Sequence, residues 1–235
     1  MTGPGAGWAG AALFDWDGTL VDSRAALLAA WHDVTAAVLG RPWPVEEDDV
    51  RLVLSRRGAE VFPRLSDDPR VVRALVEGFT PAYEVHAADG VRPFPGVVDL
   101  LTGLRSRGVA VAVVTSKARV RYDADADRGR LAHAVDAAVC AEDVARGKPD
   151  PEALQQVLDL LGVPADRAVL VGDTAVDIES GRAAGVRTVG VTWGSTPAGR
   201  LRAAGADAVA DTVADLARLL GAGPLAVPPE GGPAG

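Results

Sequence analysis

An α/β fold is predicted for this chain: a doubly wound parallel sheet with a helical insertion. Three observations predict it. Val- and Ala-rich runs alternate with helical stretches from about residue 96 to 220. Those runs are apolar throughout, as strands covered on both faces are. Residues 22–90 break the alternation and read as one helix after another.

The elements follow in order. AALFDW (11–16) is the first strand and belongs to the same sheet as the later ones. SRAALLAAWHDVTAAVLG (23–40) has apolar residues at helical spacing, and the rest of 22–90 gives two or three further helices. This block is expected as a cap inserted between the first strand and the rest of the core. VAVAVVTS (109–116) is the second strand and DAAVCA (136–141) a weaker one. The helix PEALQQVLDLLG (151–162) leads to the strand AVLVGD (168–173), then to the helix TAVDIESGRAAG (174–185). VRTVGVTW (186–193) and ADAVA (206–210) complete the strands. The expected organisation is a Rossmann-like core of residues 10–21 and 91–220 with a helical cap at 22–90. Residues 1–9 and 221–235 are rich in Gly, Pro and Ala and are expected as disordered tails. The segment 118–134, ARVRYDADADRGRLAHA, is unusually charged for a helix packed on a sheet, and its local structure stays open. There is no internal repeat.

Composition narrows the function classes. The 235 residues carry a formal net charge of −8, which argues against nucleic acid as the default partner. It leaves room for a small anion held at one local site. Cys140 is the single cysteine, so no internal disulfide can form. The stretch MTGPGAGWAG lacks a basic n-region, and no run reaches the roughly 18 apolar residues of a membrane span. A cytoplasmic protein, monomeric or homodimeric and without a membrane partner, is expected. Arginine is abundant, whereas Lys117 and Lys148 are the only lysines.

In an open parallel sheet, ligands bind outside the carboxyl ends of the strands. The first strand ends in LFDWDGTLVDS (13–23), which places Asp15 and Asp17 two positions apart. The second ends at Thr115 and Ser116. Lys148 lies in GKPDP (147–151), and Asp173 and Asp177 lie in GDTAVD (172–177). Two like charges at the end of a buried strand repel each other and need a partner. Asp15, Asp17 and Asp173 could share a hard divalent cation such as Mg²⁺, which prefers oxygen ligands. Thr115 can donate a hydrogen bond to a phosphoryl oxygen, and Lys148 can supply a point charge. An aspartate is also a recognised nucleophile toward phosphorus. Each feature alone has a blander reading: a solvated loop for the two aspartates, a helix cap for Thr115 or Asp173, a surface lysine for Lys148. His32, His86 and His133 show no mutual metal-ligand spacing and are taken as structural. Cys140 is expected in the core, and Trp31 and Trp43 in cap packing. No GxGxxG follows the first strand, which sets a dinucleotide fold aside.

Together DWDGT (15–19), the Thr ending VAVAVVTS, the Lys of GKPDP and GDTAVD resemble the four ordered motifs of the haloacid dehalogenase-like hydrolase superfamily. The helical insertion resembles that superfamily's helical-cap class. The stretch GVTWGSTPAGRLRAAGADAVADTVADL resembles phosphoglycolate phosphatase-like members, and the likeness covers roughly residues 11–220. The resemblance implies Asp15 as nucleophile and metal ligand. It implies Asp17 as general acid and then general base, with its backbone carbonyl a metal ligand. Thr115 and Lys148 would bind phosphate, lined by Trp16, Gly18 and Ser116, with the Trp16 backbone N–H facing the phosphate. Asp173 would complete the metal site, and Asp177 would orient Lys148 or a metal-bound water. In helical-cap members a loop between cap helices reaches into the site. LSRRGAE (54–60) matches it best, and at least one of Arg56 and Arg57 is expected to bind a carboxylate or second anionic group of the substrate, the blander reading being two solvated arginines on the cap surface.

The same resemblance sorts the reactions. Metal-free dehalogenases lack the second aspartate, which is present here as Asp17. Phosphonoacetaldehyde hydrolases replace that aspartate and use a cap lysine, whereas residues 22–90 contain no lysine. β-Phosphoglucomutase-like members also use a cap lysine. Hydrolysis of a small phosphate monoester, phosphoglycolate-like or a sugar phosphate, with Mg²⁺ and an aspartyl-phosphate is the expected reaction. A phosphosugar mutase and a non-catalytic phosphometabolite-binding protein are the alternatives.

Overall fold

The computed structural model describes residues 10–222. In chain order it runs β1 (Ala11–Phe14), β2 (Val21–Asp22), α1 (Arg24–Leu39), α2 (Glu47–Ser55), α3 (Gly58–Val61), α4 (Pro69–Gly90), β3 (Arg92–Pro93), α5 (Val97–Arg105) and β4 (Ala110–Val114). It continues with α6 (Arg119–Arg128), β5 (Ala137–Val139), α7 (Glu152–Leu161), β6 (Ala168–Gly172), α8 (Ala175–Ala183), β7 (Arg187–Val191), α9 (Ala198–Ala203), β8 (Ala208–Ala210) and α10 (Val213–Leu219). Six strands form one parallel sheet in the order β5-β4-β1-β6-β7-β8. The chain starts in the middle at β1, fills one side, then crosses to the other. The ends of β1, β4 and β6 therefore lie side by side at the switch point, where such sheets bind ligands.

Both faces of the sheet are covered, as the unbroken apolar strands require. Ala12 and Phe14 of β1 point to the face packed by Leu100, Leu101 and Leu104 of α5. Ala11 and Leu13 point to the opposite face, against Leu154 and Val157 of α7. This is the period-2 geometry of a strand. In α7, Leu154, Val157, Leu158 and Leu161 recur at helical spacing, and Gly162 at φ +64° ends the helix in the left-handed conformation.

The helical block is held by its own aromatic core. α1 packs along α4. Trp31 lies 4.5 Å from Phe62, 4.8 Å from Phe79 and 5.6 Å from Trp43, ring centre to ring centre. Such pairs add about 0.5–1.5 kcal/mol each beyond the area they bury. The chain enters and leaves this block through a two-stranded antiparallel neck, with Val21 opposite Pro93 and Asp22 opposite Arg92.

Two expectations are refined. The charged segment 118–134 is mostly the helix α6, and two of its charges, Asp125 and Arg128, are partnered where it meets α4. Buried Asp125 accepts from Tyr83 at 2.7 Å and from Arg128 at 2.6 Å, and Arg128 reaches Glu84 at 2.8 Å. Gly221 and Ala222, expected in the tail, are described: Ala222 is buried and its N–H donates to Ala217. The tail residues 1–9 and 223–235 lie outside the described residues. Among the described residues no helix is long and apolar enough to cross a membrane.

Candidate active site

The site grows from a turn at the end of β1. Ladder bonding persists to Asp15, whose N–H donates to Val171 at 2.8 Å. The chain then folds back on itself. The N–H groups of Thr19, Leu20 and Val21 all point at the Trp16 carbonyl, and Gly18 takes φ +79°. A side chain at Gly18 would also collide, since its Cβ would lie 2.6 Å from Asp173 Oδ2. The Trp16 ring is buried edge-on against Tyr122, with centres 4.8 Å apart.

Asp15, Asp173 and Asp177 each offer a carboxylate oxygen, and the three oxygens lie within 4.8 Å of one another. Lys148 sits among them and donates to Asp15 at 2.7 Å and to Asp177 at 2.6 Å. Burial opposes its charge, but Asp15 and Asp177 outweigh that and hold the lysine pKa above its usual range. Asp177 is fixed twice, because it also closes a capping box with Thr174 at the start of α8. Asp173 accepts from the Ser195 N–H and hydroxyl, both at 2.7 Å. Even so, burial first, and then the neighbouring Asp177 carboxylate, push Asp173 up to about 6. Asp15 is raised too, chiefly by burial, with Asp177 and Asp173 adding to it against the opposing pull of Lys148. Three buried carboxylates facing one lysine leave an excess of negative charge.

The chemistry of these donors fits a hard divalent cation: carboxylate oxygens with no competing sulfur or imidazole in the cluster. The missing side chain at Gly194 lets the backbone approach Asp173 closely. A Cβ on Gly194 would fall 2.3 Å from Asp173 Oδ2 and 2.5 Å from the Gly18 carbonyl.

The Asp17 carboxylate is not part of that cluster. It accepts from Ser23 Oγ at 2.5 Å and from Lys117 Nζ at 2.7 Å. Lys117 is itself buried, 2.9 Å from Tyr83 Oη and 3.0 Å from Asp125. Thr115, Ser116, Lys117, Lys148 and Arg56 line one cavity with Asp15 and Asp17, walled on the helical side by Trp31, Val53 and Phe79. Arg57 is turned away to another task. Its guanidinium donates to the carbonyls of Ala141, Val144 and Ala145 at 3.1–3.2 Å and to Glu60 at 2.8 Å. Arg57 thus forms a clasp between the helical block and the core, while Arg56, the other arginine of the expected pair, lines the cavity.

The model of haloacid dehalogenase-like hydrolases matches residues 12–191. This chain belongs to that family. The hydrolase is similar to the N-acetylmuramic acid 6-phosphate phosphatase of Pseudomonas aeruginosa, 37% identical over 217 residues, or 89% of this chain and 94% of that one. It is 31% identical over 198 residues to the phosphoglycolate phosphatase of Agrobacterium fabrum, covering 79% of this chain and 81% of the relative. A hydrolase from Pseudomonas syringae superposes with a TM-score of 0.80 at 26% identity, over 90% of this chain and 98% of that one.

Sequence reasoning missed four residues of this hydrolase's site. Ser195 and Gly194 follow the strand at 187–191, where the same strand-end rule that found Asp173 applies. Lys117 stood out as one of two lysines but received no role. Arg121 was hidden in the charged segment and lines the cavity. His32 and His86 hydrogen-bond within the fold, to the Pro44 carbonyl and to Asp33 at 2.7 Å each. Cys140 is buried, and burial pushes its thiol up to about 12.

Proposed function

We propose that this hydrolase, a phosphatase like its curated relatives, cleaves the phosphate monoester of a small metabolite with Mg²⁺ and an aspartyl-phosphate on Asp15. The carrying observation is the placement of Asp15, fixed by Lys148 and beside Asp173 and Asp177 at the switch point of the sheet. Asp15 Oδ forms the new bond to phosphorus while the bond from phosphorus to the ester oxygen breaks. Asp17 hands its proton to the departing alcohol. It then takes a proton from water as that water attacks phosphorus, releasing inorganic phosphate and restoring the Asp15 carboxylate. Lys148 pulls Asp15 toward the ionised form against burial and, with Thr115 and Ser116, receives the phosphoryl oxygens. Asp15, Asp173 and the backbone carbonyl of Asp17 would hold Mg²⁺, with Asp177 beside them. The ion supplies Lewis acidity toward the phosphoryl group and relieves the carboxylate repulsion. The helical block at 22–90 serves as the cap that closes over the alcohol portion.

The test is phosphate release from p-nitrophenyl phosphate and from a panel of phosphorylated metabolites, with Mg²⁺ and with a chelator. Turnover that needs Mg²⁺ supports the reading. Full activity under chelation, or none on any monoester, overturns it.

A further inference from the structure

The cavity above Asp15 contains four cationic side chains, and three of them have a carboxylate partner. Lys148 has Asp15 and Asp177, Lys117 has Asp17 and Asp125, and Arg56 has Glu60 at 3.7 Å. Arg121 is the exception. No carboxylate of the described residues lies within ion-pair distance of its guanidinium. The hydrogen bond it makes is from Nη1 to Thr80 Oγ1 at 3.1 Å. Its Nε is buried and has no hydrogen-bond partner. Few side chains are less suited to such a position, since a buried unpartnered donor costs about 1–3 kcal/mol and more when charged. Burial pulls the Arg121 pKa below its ordinary value despite the more distant carboxylates of Asp17, Glu142 and Asp125.

The guanidinium is nonetheless held in place. Its carbon lies 4.9 Å from the centre of the Phe79 ring and 5.8 Å from that of Tyr83. Aromatic contact of this kind holds the guanidinium near the rings while its N–H groups keep donor capacity for an anion. Thr80 and Phe79 come from α4 of the helical block, and Arg121 from the first turn of α6. Arg121 therefore lines the cavity on the side it shares with the helical block.

We propose that Arg121 binds a carboxylate carried by the alcohol portion of the substrate, so that the preferred substrates are phosphate monoesters of hydroxy acids. The proposal rests on the phosphatase reading above and deepens it. A carboxylate is favoured over a second phosphate by the donor set. One planar guanidinium edge matches two coplanar oxygens, whereas a phosphate dianion calls for further free cations. Arg56, the other arginine lining the cavity, already has Glu60 and the Lys148 carbonyl at 3.4 Å.

Two matched pairs test this with the Mg²⁺-loaded full chain. 2-Phosphoglycolate is compared with 2-hydroxyethyl phosphate. N-Acetylmuramic acid 6-phosphate is compared with N-acetylglucosamine 6-phosphate, which lacks the carboxylate-bearing ether. In at least one pair the wild type should favour the acid by about tenfold or more in kcat/KM, the scale of a charged hydrogen bond. Arg121→Met should collapse that ratio toward one, and Arg121→Lys should restore only part of it. Should Arg121→Met fail to fold, the wild-type ratios and Arg121→Lys still decide. A wild type that hydrolyses both members of each pair equally, or prefers a bisphosphate, overturns the proposal and leaves the phosphatase reading intact. So does an Arg121→Met ratio equal to that of the wild type. Absence of turnover on every monoester overturns the phosphatase reading instead.

Discussion

Lys117 Nζ lies 2.7 Å from Asp17 Oδ1, and the same ammonium is 2.9 Å from Tyr83 Oη on α4. The carboxylate proposed as proton donor is thus tied to a core lysine and, one bond further, to the helical block. Asp15 and Asp17 stand two positions apart, but one faces Lys148 and the other Lys117. Separate partners let neighbouring carboxylates take different tasks.

Loss of the Lys117 ammonium should loosen Asp17. Lys117→Met is expected to lower kcat by about ten- to a hundredfold on alkyl phosphates, the scale of about 1.5–3 kcal/mol for a charged hydrogen bond. The effect should be smaller on p-nitrophenyl phosphate, whose leaving group needs little protonation. A leaving-group series measured on wild type and variant checks this. Equal losses across the series would separate Lys117 from the proton transfer.

Asp15→Asn should abolish turnover by several orders of magnitude while preserving the fold, because a nucleophile has no substitute in so slow an uncatalysed reaction. Circular dichroism and phosphate release measured on one preparation suffice. Activity within tenfold of wild type would remove Asp15 from that role.

The metal prediction has a pH sign. Burial and Asp177 raise Asp173 to about 6, so the folded chain holds that proton more tightly than the unfolded chain does. Metal-free stability should therefore fall as pH rises from about 4, the ordinary carboxylate value, through about 6. Mg²⁺ requires the ionised form and should raise Tm more at about pH 7.5 than at about pH 5. With Mg²⁺ at about a hundred times its Kd the stabilisation is about 2.7 kcal/mol. Thermal melts at both pH values check it, and Asp173→Ala should erase the difference.

Arg57→Ala should act on all substrates alike. The side chain clasps the loop that precedes Lys148, and a Cβ on Gly147 would sit 2.6 Å from its Nε. Its removal is expected to reduce kcat/KM severalfold in parallel for acidic and neutral esters, and to speed hydrogen exchange in residues 141–147. A change in selectivity without faster exchange would return Arg57 to the substrate.

Much of this was legible in the sequence because it is local. Continuous apolar runs mark buried parallel strands, and the polar residues just beyond them, Asp15, Thr115 and Asp173, mark the crevice. Less legible were partnerships made across the fold. The sequence does not show that Asp125 of α6 meets Tyr83 of α4, a pairing 42 residues apart, so the charged segment reads as a poor helix until its neighbour is known. Arg57 and Arg56 are adjacent and chemically alike. Only the position of the loop at 141–145 decides that one clasps the core while the other lines the cavity.

The two-stranded neck has a consequence for how such a protein diversifies. Asp22 and Arg92 stand opposite each other in a ladder, so the whole helical block leaves the core and returns to it at one point. Seen from the core, the block has almost no end-to-end span to satisfy. An insertion of different length or make-up, spliced between those two residues, would start and finish at the same place. The floor that carries Asp15, Lys148 and Asp173 would keep its register. The helical wall of the cavity, with Trp31, Val53 and Phe79, lies on its own stretch of gene and could be replaced while that floor, and Arg121 with it, stayed in the core.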